Sequence, residues 1–219
     1  LQKALQELVR NKLTTLQRME MTSDQSYSMV LRGVMKADIN NLKSTLENLS
    51  ADTFEAMVEA MYSAKRVYIM GLRSSAPLAQ FMGYYLSFIL DNVYVVTSGI
   101  NDILEQIFHI EQGDMLLGIS FPRYSRRTVD GMRYARERGA TVAAVTDSAT
   151  SPLASLAEHT LMVKSDIASF VDSLVAPFSV MNALIVAIAM KKRTAVADHF
   201  KTLEDIWGQY HVYLEKENG

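Results

Sequence analysis

The chain has 219 residues, of which 49% are hydrophobic and 21% charged, and its formal net charge is −2. This length and composition allow one domain with a substantial apolar core plus an additional segment. The near-neutral charge argues against nucleic-acid binding through the overall field of the protein, and the absence of cysteine excludes disulfides and thiol chemistry. Because a chain without cysteine fits a reducing compartment, we expect a cytoplasmic protein.

The first fifty residues are predicted to be helical. Leucine and valine recur at helical spacing from Leu1 to Leu16, which indicates an amphipathic packing helix. Small polar residues interrupt this pattern near 22–28, and a second helix is expected from about Val30 to Leu49. The chain begins inside a helical pattern without an initiator methionine, so we expect residues 1–50 to continue a longer N-terminal region.

From Ala51 onward, predicted helices alternate with short apolar strands. Ser50 is a suitable N-cap for the first of these helices, at 51–64. The expected strands are 67–70, 93–96, 115–119, 140–145 and 160–163, and the expected helices between them include 76–90, 102–109 and 128–138. Such alternation is typical of an α/β fold with a parallel sheet covered on both faces.

Two helices are predicted to close the chain. The apolar run from Leu174 to Met190 is shorter than the about 20 apolar residues needed to cross a bilayer, and it contains Pro177. We therefore expect no membrane association but a helix buried between the sheet and a neighbouring subunit. Residues 194–215 form a last amphipathic helix that would suit a dimer interface.

Two strand-to-helix turns stand out. The strand ending at Gly71 is followed by the hydroxyls of Ser74 and Ser75 and then by a helix, and a similar polar turn follows the strand that ends before Ser120. Backbone N–H groups and the helix dipole favour an anion at such a turn, so the pair outlines a phosphate-binding geometry. Taken alone, each turn is equally suited to connecting a strand to a helix and capping it.

The succession of these motifs resembles the sugar isomerase (SIS) domain, most closely the sensing domain of RpiR-type transcriptional regulators. The similarity covers about 51–193 and implies a flavodoxin-like, five-stranded parallel sheet that dimerises and binds phosphorylated sugars at the carboxyl ends of its strands. Residues 1–50 resemble the tail of that family's N-terminal helix-turn-helix domain plus linker, and residues 194–219 form a C-terminal helix. The motifs that carry the resemblance are Gly71-Leu72-Arg73-Ser74-Ser75, Gly118-Ile119-Ser120, Gly139-Ala140-Thr141-Val142, Asp147-Ser148 and Ser151-Pro152-Leu153.

The resemblance also implies ligand positions. Ser74 and Ser75 stand where the family's first-loop phosphate ligands stand, Ser120 matches the first serine of its Ser-x-Ser-Gly-x-Thr loop, and Ser125 occupies the position of the closing threonine. Asn101 lies in a loop where such regulators often place a sugar-contacting side chain. From the residues alone, we favour Asn101 or Ser98 as the N-cap of the following helix.

The second loop departs from the family pattern. Pro122 replaces the second serine and removes a phosphate donor, and Arg123 replaces the glycine. Guanidinium groups in and beside the two loops can offset this loss, and cations at a helix start, where the dipole disfavours them, suggest an anionic partner. The arginines concerned are Arg73, Arg123, Arg126 and Arg127, and the candidate ligand residues are Arg73, Ser74, Ser75, Asn101, Ser120, Arg123, Ser125 and Arg126.

Nothing in the sequence forms a recognisable catalytic constellation. An aldose–ketose isomerase needs a Glu or His as general base, and Glu105 and Asp172 are the acids to inspect. His109, His159, His199 and His211 are expected to be structural or exposed. There is no metal-ligand cluster, Walker loop or dinucleotide-binding motif, so we expect neither a metal nor a cofactor.

The preferred hypothesis is a non-catalytic effector-sensing domain of a DNA-binding transcriptional regulator. Its expected partners are a phosphorylated sugar or sugar-acid effector, further copies of the chain in a homodimer or homotetramer, and operator DNA through an N-terminal domain mostly absent from this sequence. Two alternatives remain: a phosphosugar aldose–ketose isomerase that uses the same pocket, and an oligomerisation module whose pocket has lapsed.

Overall fold

Five parallel strands form one sheet in the computed structural model, which describes residues 15–20, 25–167 and 170–214. The strand order β2-β1-β3-β4-β5 is flavodoxin-like and confirms the predicted architecture. The strands are β1 (Val67–Gly71), β2 (Val93–Val96), β3 (Met115–Ile119), β4 (Thr141–Thr146) and β5 (His159–Met162).

Helices precede the sheet, connect its strands and close the chain. They are α1 (Thr15–Glu20), α2 (Tyr27–Asn48), α3 (Ala51–Ser63), α4 (Ala76–Leu86), α5 (Ile103–Gln106), α6 (Arg126–Glu137), α7 (Val175–Lys191) and α8 (Arg193–Gln209). Most of the first predicted helix, residues 1–14, and the last predicted helical residue, Glu215, lie outside the described residues.

The central strands of the sheet, β1 and β3, are buried at every position and are covered by helices on both faces. In β1, Ile69 packs into a core formed with α3, α4 and α7, whereas Met70 packs into a second core formed with α5 and α6. In β3, Leu117 packs into the first of these cores and Leu116 packs into the second. This two-sided burial is the reason that the strands appear in the sequence as continuous apolar runs.

An ion pair between the partly exposed Arg66 and the buried Asp114 joins the amino ends of β1 and β3. Arg66 Nη2 lies 2.7 Å from Asp114 Oδ2, and Arg66 Nε donates to Asp114 Oδ1 at 2.9 Å. Asp114 is 1% exposed, and its carboxylate also accepts the backbone N–H of Glu111 at 2.9 Å. Arg66 Nη2 donates further to the carbonyl of His109 at 2.9 Å, so the pair fixes both strand starts and the loop that leads into β3.

Helix boundaries follow the caps that the side chains provide. Ser50 caps α3 as predicted, accepting from Thr53 N. The predicted N-cap at Asn101 or Ser98 is wrong, because Asp102 caps α5 and Glu105 completes a capping box with it. The next long helix, α6, begins two residues earlier than predicted, since Ser125 Oγ accepts from Thr128 N at 3.4 Å.

Among the described residues, no single helix is both long and apolar enough to cross a membrane. The pair Val175–Lys191 and Val196–Gln209 meets the length and composition requirement only when the two helices are joined across a bend of 109°. The first of them, α7, buries one face, including Met181 and Leu184, and exposes Val186 and Met190 on the other.

Replacing Arg66 by Met is expected to lower the free energy of unfolding by about 3 kcal/mol, because it leaves the Asp114 carboxylate buried without its counter-charge. The matched control is Lys43→Met, since Lys43 and Glu47 form an exposed pair at 3.9 Å that is worth less than about 0.5 kcal/mol. Urea denaturation of both variants measures the difference. Equal losses in the two variants would show that the buried pair has no special role.

Candidate ligand-binding site

The residues predicted to bind a ligand lie in the loops that follow β2, β1 and β3. These three strands are neighbours and parallel, with Met70 of β1 paired to both Val96 and Gly118, so their carboxyl ends meet at one edge of the sheet. Open α/β sheets bind ligands at this edge. The structure therefore brings Asn101, the loop from Arg73 to Ser75 and the loop from Ser120 to Arg126 to a single region.

The loop after β1 turns sharply at Gly71. A Cβ at this position would lie 2.5 Å from the carbonyl oxygen of Ser75, so the turn requires glycine. A 3₁₀ turn then runs from Arg73 to Ser75 and continues into α4. Arg73 and Ser74 are exposed, whereas Ser75 is 3% exposed, so the first two present their side chains at the edge of the sheet.

The loop after β3 is closed by its own hydroxyls. Ser120 is buried, and its Oγ accepts from the backbone N–H of Ser125 at 3.1 Å, while Ser125 Oγ caps α6. Phe121 is buried beneath the loop and Arg123 is exposed at its tip. The serines thus hold the loop in shape, and Arg123 is the side chain that the loop extends toward solvent.

Both loops hold an arginine in the left-handed region of backbone conformation. Arg73 has φ of 56° and Arg123 has φ of 64°. For a residue with a Cβ this conformation costs about 1–2 kcal/mol, and glycine is the residue that adopts it freely. In a folded protein such strain persists where the surroundings impose it, and it is concentrated at functional sites.

The start of α6 adds two further cations. Arg126 Nε lies 3.8 Å from Asp130 Oδ2, and both it and Arg127 are exposed. Arg127 forms an ion pair with Asp102, the cap of α5, and so ties α6 to the loop that follows β2. The Arg127 side chain is 55% exposed and the Arg126 side chain is 93% exposed. Arg126 is therefore the more accessible cation of this turn.

The loop after β2 borders an open depression of about 420 Å³. Gln106 holds this loop, since its Nε2 donates to the carbonyl of Thr97 at 2.9 Å and to that of Asn101 at 3.1 Å. The Asn101 side chain itself is exposed beside the depression. The lining residues are Thr97, Ser98, Gly99, Ile100, Asn101 and Gln106.

A polar network at the ends of β3 and β4 escaped the sequence analysis. Tyr124 OH donates to Asp147 Oδ1 at 2.8 Å, and burial together with this hydrogen bond raises the pKa of Tyr124 to about 12. Thr146 Oγ1 lies 2.8 Å from Ser151 Oγ and 3.3 Å from Asp147 Oδ1. The network braces the loop that carries Arg123 against the loop after β4. Its only sequence signals were the Asp147-Ser148 and Ser151-Pro152-Leu153 motifs.

Three of the described histidines lie away from the carboxyl edge of β2, β1 and β3. His109 and His159 lie at the opposite edge, just before β3 and at the start of β5, and His199 Nδ1 is 3.3 Å from the carbonyl of Phe88. Glu105 is used in the capping box of α5, and Asp172 lies in the segment before α7. No group of three or more metal-ligating side chains occurs in the described ranges.

Glycine at either strained position is expected to preserve or raise stability. Arg73→Gly and Arg123→Gly remove a left-handed backbone cost of about 1–2 kcal/mol and add about 0.5–1 kcal/mol of chain entropy loss. The control is Arg136→Gly in the last turn of α6, which should lose about 1 kcal/mol. Thermal and urea unfolding compare the three, and an Arg123→Gly loss as large as that of Arg136→Gly would contradict the strain argument.

Replacing Tyr124 by Phe is expected to lower the free energy of unfolding by about 1 kcal/mol near neutral pH, through loss of the hydrogen bond to Asp147. Since the folded-state pKa lies near 12 and the usual value is 10.0, burial of the neutral phenol stabilises the fold fully below about pH 10. That contribution is lost as the pH rises toward 12, so the parent should lose more stability over this interval than Tyr124→Phe.

Urea titrations from pH 8 to 11.5 measure the effect, with Tyr84→Phe as the control because Tyr84 is 55% exposed. An identical alkaline slope for the parent and Tyr124→Phe would contradict the assignment.

Comparison with known proteins places this geometry in a family. The model of the SIS domain matches residues 60–187. A curated relative, an uncharacterized HTH-type transcriptional regulator of Caldanaerobacter subterraneus, is 24% identical over 192 residues, which cover 84% of this chain and 67% of that protein. Other HTH-type regulators among the relatives are matched over 49% and 57% of their length. The chain thus spans about half to two thirds of these regulators.

Solved structures agree with the family match. NanR of Vibrio vulnificus, solved in complex with ManNAc-6P, superimposes with a TM-score of 0.71 at 14% identity, covering 90% of this chain and 74% of that one. The sugar isomerase domain of an RpiR transcription factor from Sphaerobacter thermophilus gives a TM-score of 0.75 at 31% identity, covering 78% of this chain and 96% of that one. The chain belongs to the SIS domain family and carries a sugar isomerase domain of the RpiR transcription factor type.

Proposed function

We propose that this chain senses an effector for a transcriptional regulator, and that the effector is a phosphorylated sugar or a related anionic carbohydrate derivative such as a sugar acid. The observation that carries the proposal is the pair of arginine-bearing loops at the carboxyl edge of β1 and β3. The relatives support it, because they are HTH-type regulators and because NanR was solved with a phosphorylated sugar.

The proposed contacts divide the loops into two roles. Arg73, Ser74, Arg123 and Arg126 are exposed and would contact the anionic group directly, since guanidinium groups bind phosphate or carboxylate in a bidentate manner. Asn101 would contact a sugar hydroxyl from the far side of the site. The remaining candidates, Ser75, Ser120 and Ser125, lie behind these groups and would shape the two loops and orient their backbone N–H groups.

Regulation requires that the effector bind one arrangement of the regulator better than another, with a coupling of about 1–3 kcal/mol. We propose that the DNA-reading domain precedes α2 and that the protein acts as a homodimer or homotetramer in the cytoplasm. Support for self-association comes from α7, whose outer face exposes the apolar side chains of Val175, Val186 and Met190.

The isomerase alternative has weaker support. It needs a Glu or His base beside the bound sugar, yet Glu105 serves in the cap of α5, and His109, His159 and His199 lie away from the site. The oligomerisation alternative gains support from Pro122, which offers the loop neither a hydroxyl nor a backbone N–H. A thermal-shift screen distinguishes both alternatives from a sensor.

A thermal-shift screen of sugar phosphates, sugar acids and uncharged sugars tests the proposal. A ligand at about 100 times its dissociation constant should add roughly 2.7 kcal/mol to the stability of the parent chain. Ser74→Ala, Arg73→Gly and Arg123→Gly should show a much smaller shift. The control Arg136→Ala, in the last turn of α6, should respond as the parent does.

The fate of the ligand separates the alternatives. Recovery of the stabilising phosphosugar unchanged after incubation supports a sensor, whereas its conversion to another sugar phosphate identifies an isomerase. If no anionic carbohydrate shifts the melting temperature, the site assignment is wrong and the oligomerisation module becomes the better description.

A further inference from the structure

Helix α2 is inverted relative to an ordinary amphipathic helix. Leu31, Met35 and Ile39 are 64%, 56% and 59% exposed, whereas Asn41 and Thr45 are 2% and 5% exposed. A helix that packs on a core normally turns its apolar side chains inward. The inward polar side chains of α2 therefore need a specific partner, since burying a polar group without one is costly.

The partner is the backbone that leaves β5. Asn41 Nδ2 donates to the carbonyl of Asp166 at 2.8 Å, and Asn41 Oδ1 accepts from Asp166 N at 3.2 Å. Thr45 Oγ1 accepts from Lys164 N at 3.0 Å. An amide that bonds both polar groups of one residue allows only one alignment of helix and segment, whereas apolar contacts tolerate sliding.

The same segment is bonded to the candidate ligand site at its other end. Val163 N donates to the carbonyl of Thr146 at 2.7 Å, and Thr146 is the last residue of β4. Its neighbour Asp147 accepts the hydrogen bond of Tyr124, which lies next to Arg123 in the loop after β3. The loop after β3 is thus connected to α2 by hydrogen bonds and by two short stretches of chain, residues 146–147 and residues 163–166.

We propose that Asn41 and Thr45 are positioning residues that couple the candidate ligand site to the placement of α2. The inference rests on the proposed function for its biological meaning, because in a regulator α2 is the helix that leads toward the N-terminal side of the chain. A shift of the loop carrying Arg123 moves Asp147 and the segment 163–166. Because hydrogen bonds are short and directional, α2 follows that segment or loses bonds that leave buried polar groups unsatisfied.

The test needs no effector, since coupling is reciprocal. Hydrogen exchange followed by mass spectrometry is measured on the whole chain at neutral pH for Tyr124→Phe and for Thr45→Val, which keeps the side-chain shape. Tyr124→Phe should speed exchange several-fold at 163–166 and along α2 near 41–45. Thr45→Val should speed exchange by a similar factor at 146–151 and in the loop 120–125.

Matched controls isolate the path. Tyr84→Phe removes a hydroxyl from an exposed tyrosine on α4, and Asn40→Asp changes an exposed neighbour of Asn41, whereas Asn41→Asp removes the donor that faces the Asp166 carbonyl. Tyr84→Phe and Asn40→Asp should leave exchange in both distant regions unchanged, whereas Asn41→Asp should alter it as Thr45→Val does. Amides of β1 and β3 report any global loss of stability, and Asp147→Ala, which removes the acceptor of the Tyr124 hydroxyl, replaces Tyr124→Phe if the latter unfolds.

An effect of Thr45→Val that stays within α2 and 163–166, or an effect of Tyr124→Phe that ends at Asp147, would overturn the proposal. This outcome is independent of the thermal-shift screen. A chain that binds phosphosugars without reciprocal exchange effects refutes the coupling and keeps the sensor, whereas reciprocal effects without any ligand response keep the coupling and refute the sensor.

Discussion

The pairing of Arg66 with Asp114 is the constraint on which the arrangement of the sheet depends. The Asp114 carboxylate is 1% exposed, and the Arg66 guanidinium and the backbone N–H of Glu111 supply the hydrogen bonds that a buried carboxylate needs. Apolar strands that are buried on both faces have little in their side chains to distinguish one register from the next. The ion pair supplies that distinction at the amino ends, where Val67 aligns with Met115.

Register at the amino edge fixes the geometry of the opposite edge. With Val67 paired to Met115, Gly71 pairs with Ile119, and the two loops leave the sheet side by side. A slip of one residue would move one loop along the strand by about 3.3 Å and turn its side chains to the other face. The position of Arg73 relative to Arg123 therefore depends on a contact at the far end of the strands.

The sequence was sufficient to predict the sheet and the order of its elements. Strands buried on both faces appear as continuous apolar runs ended by turn residues, and this signal needs no knowledge of tertiary contacts. Helix starts were harder to place, because Asn101, Asp102 and Ser98 are all suitable caps by residue type. Only the capping box between Asp102 and Glu105 determines which one is used.

Contacts between distant positions were not predictable from residue patterns. Tyr124 and Asp147 are separated by 23 positions, and Asn41 and Asp166 by 125, so neither pair leaves a periodic signal. The left-handed conformation at Arg123 was hidden for a different reason, since an arginine in a polar turn gives no indication of its φ. The resemblance to a glycine-containing family loop was the only sign that this position needed an unusual backbone.

These features change what the loop after β3 can offer to an anion. The family pattern implies serine hydroxyls and a glycine backbone close to phosphate, but here the backbone N–H of Ser125 is used in the hydrogen bond to Ser120 Oγ, and Pro122 contributes no donor. Under the proposed function, recognition would therefore shift from backbone and hydroxyl donors to guanidinium groups that extend from the tips of the loops. Guanidinium binds carboxylate and phosphate in the same bidentate geometry. Such a site would discriminate less by the phosphate itself than by the distance between the anionic groups of the effector, which is a property of the whole sugar derivative.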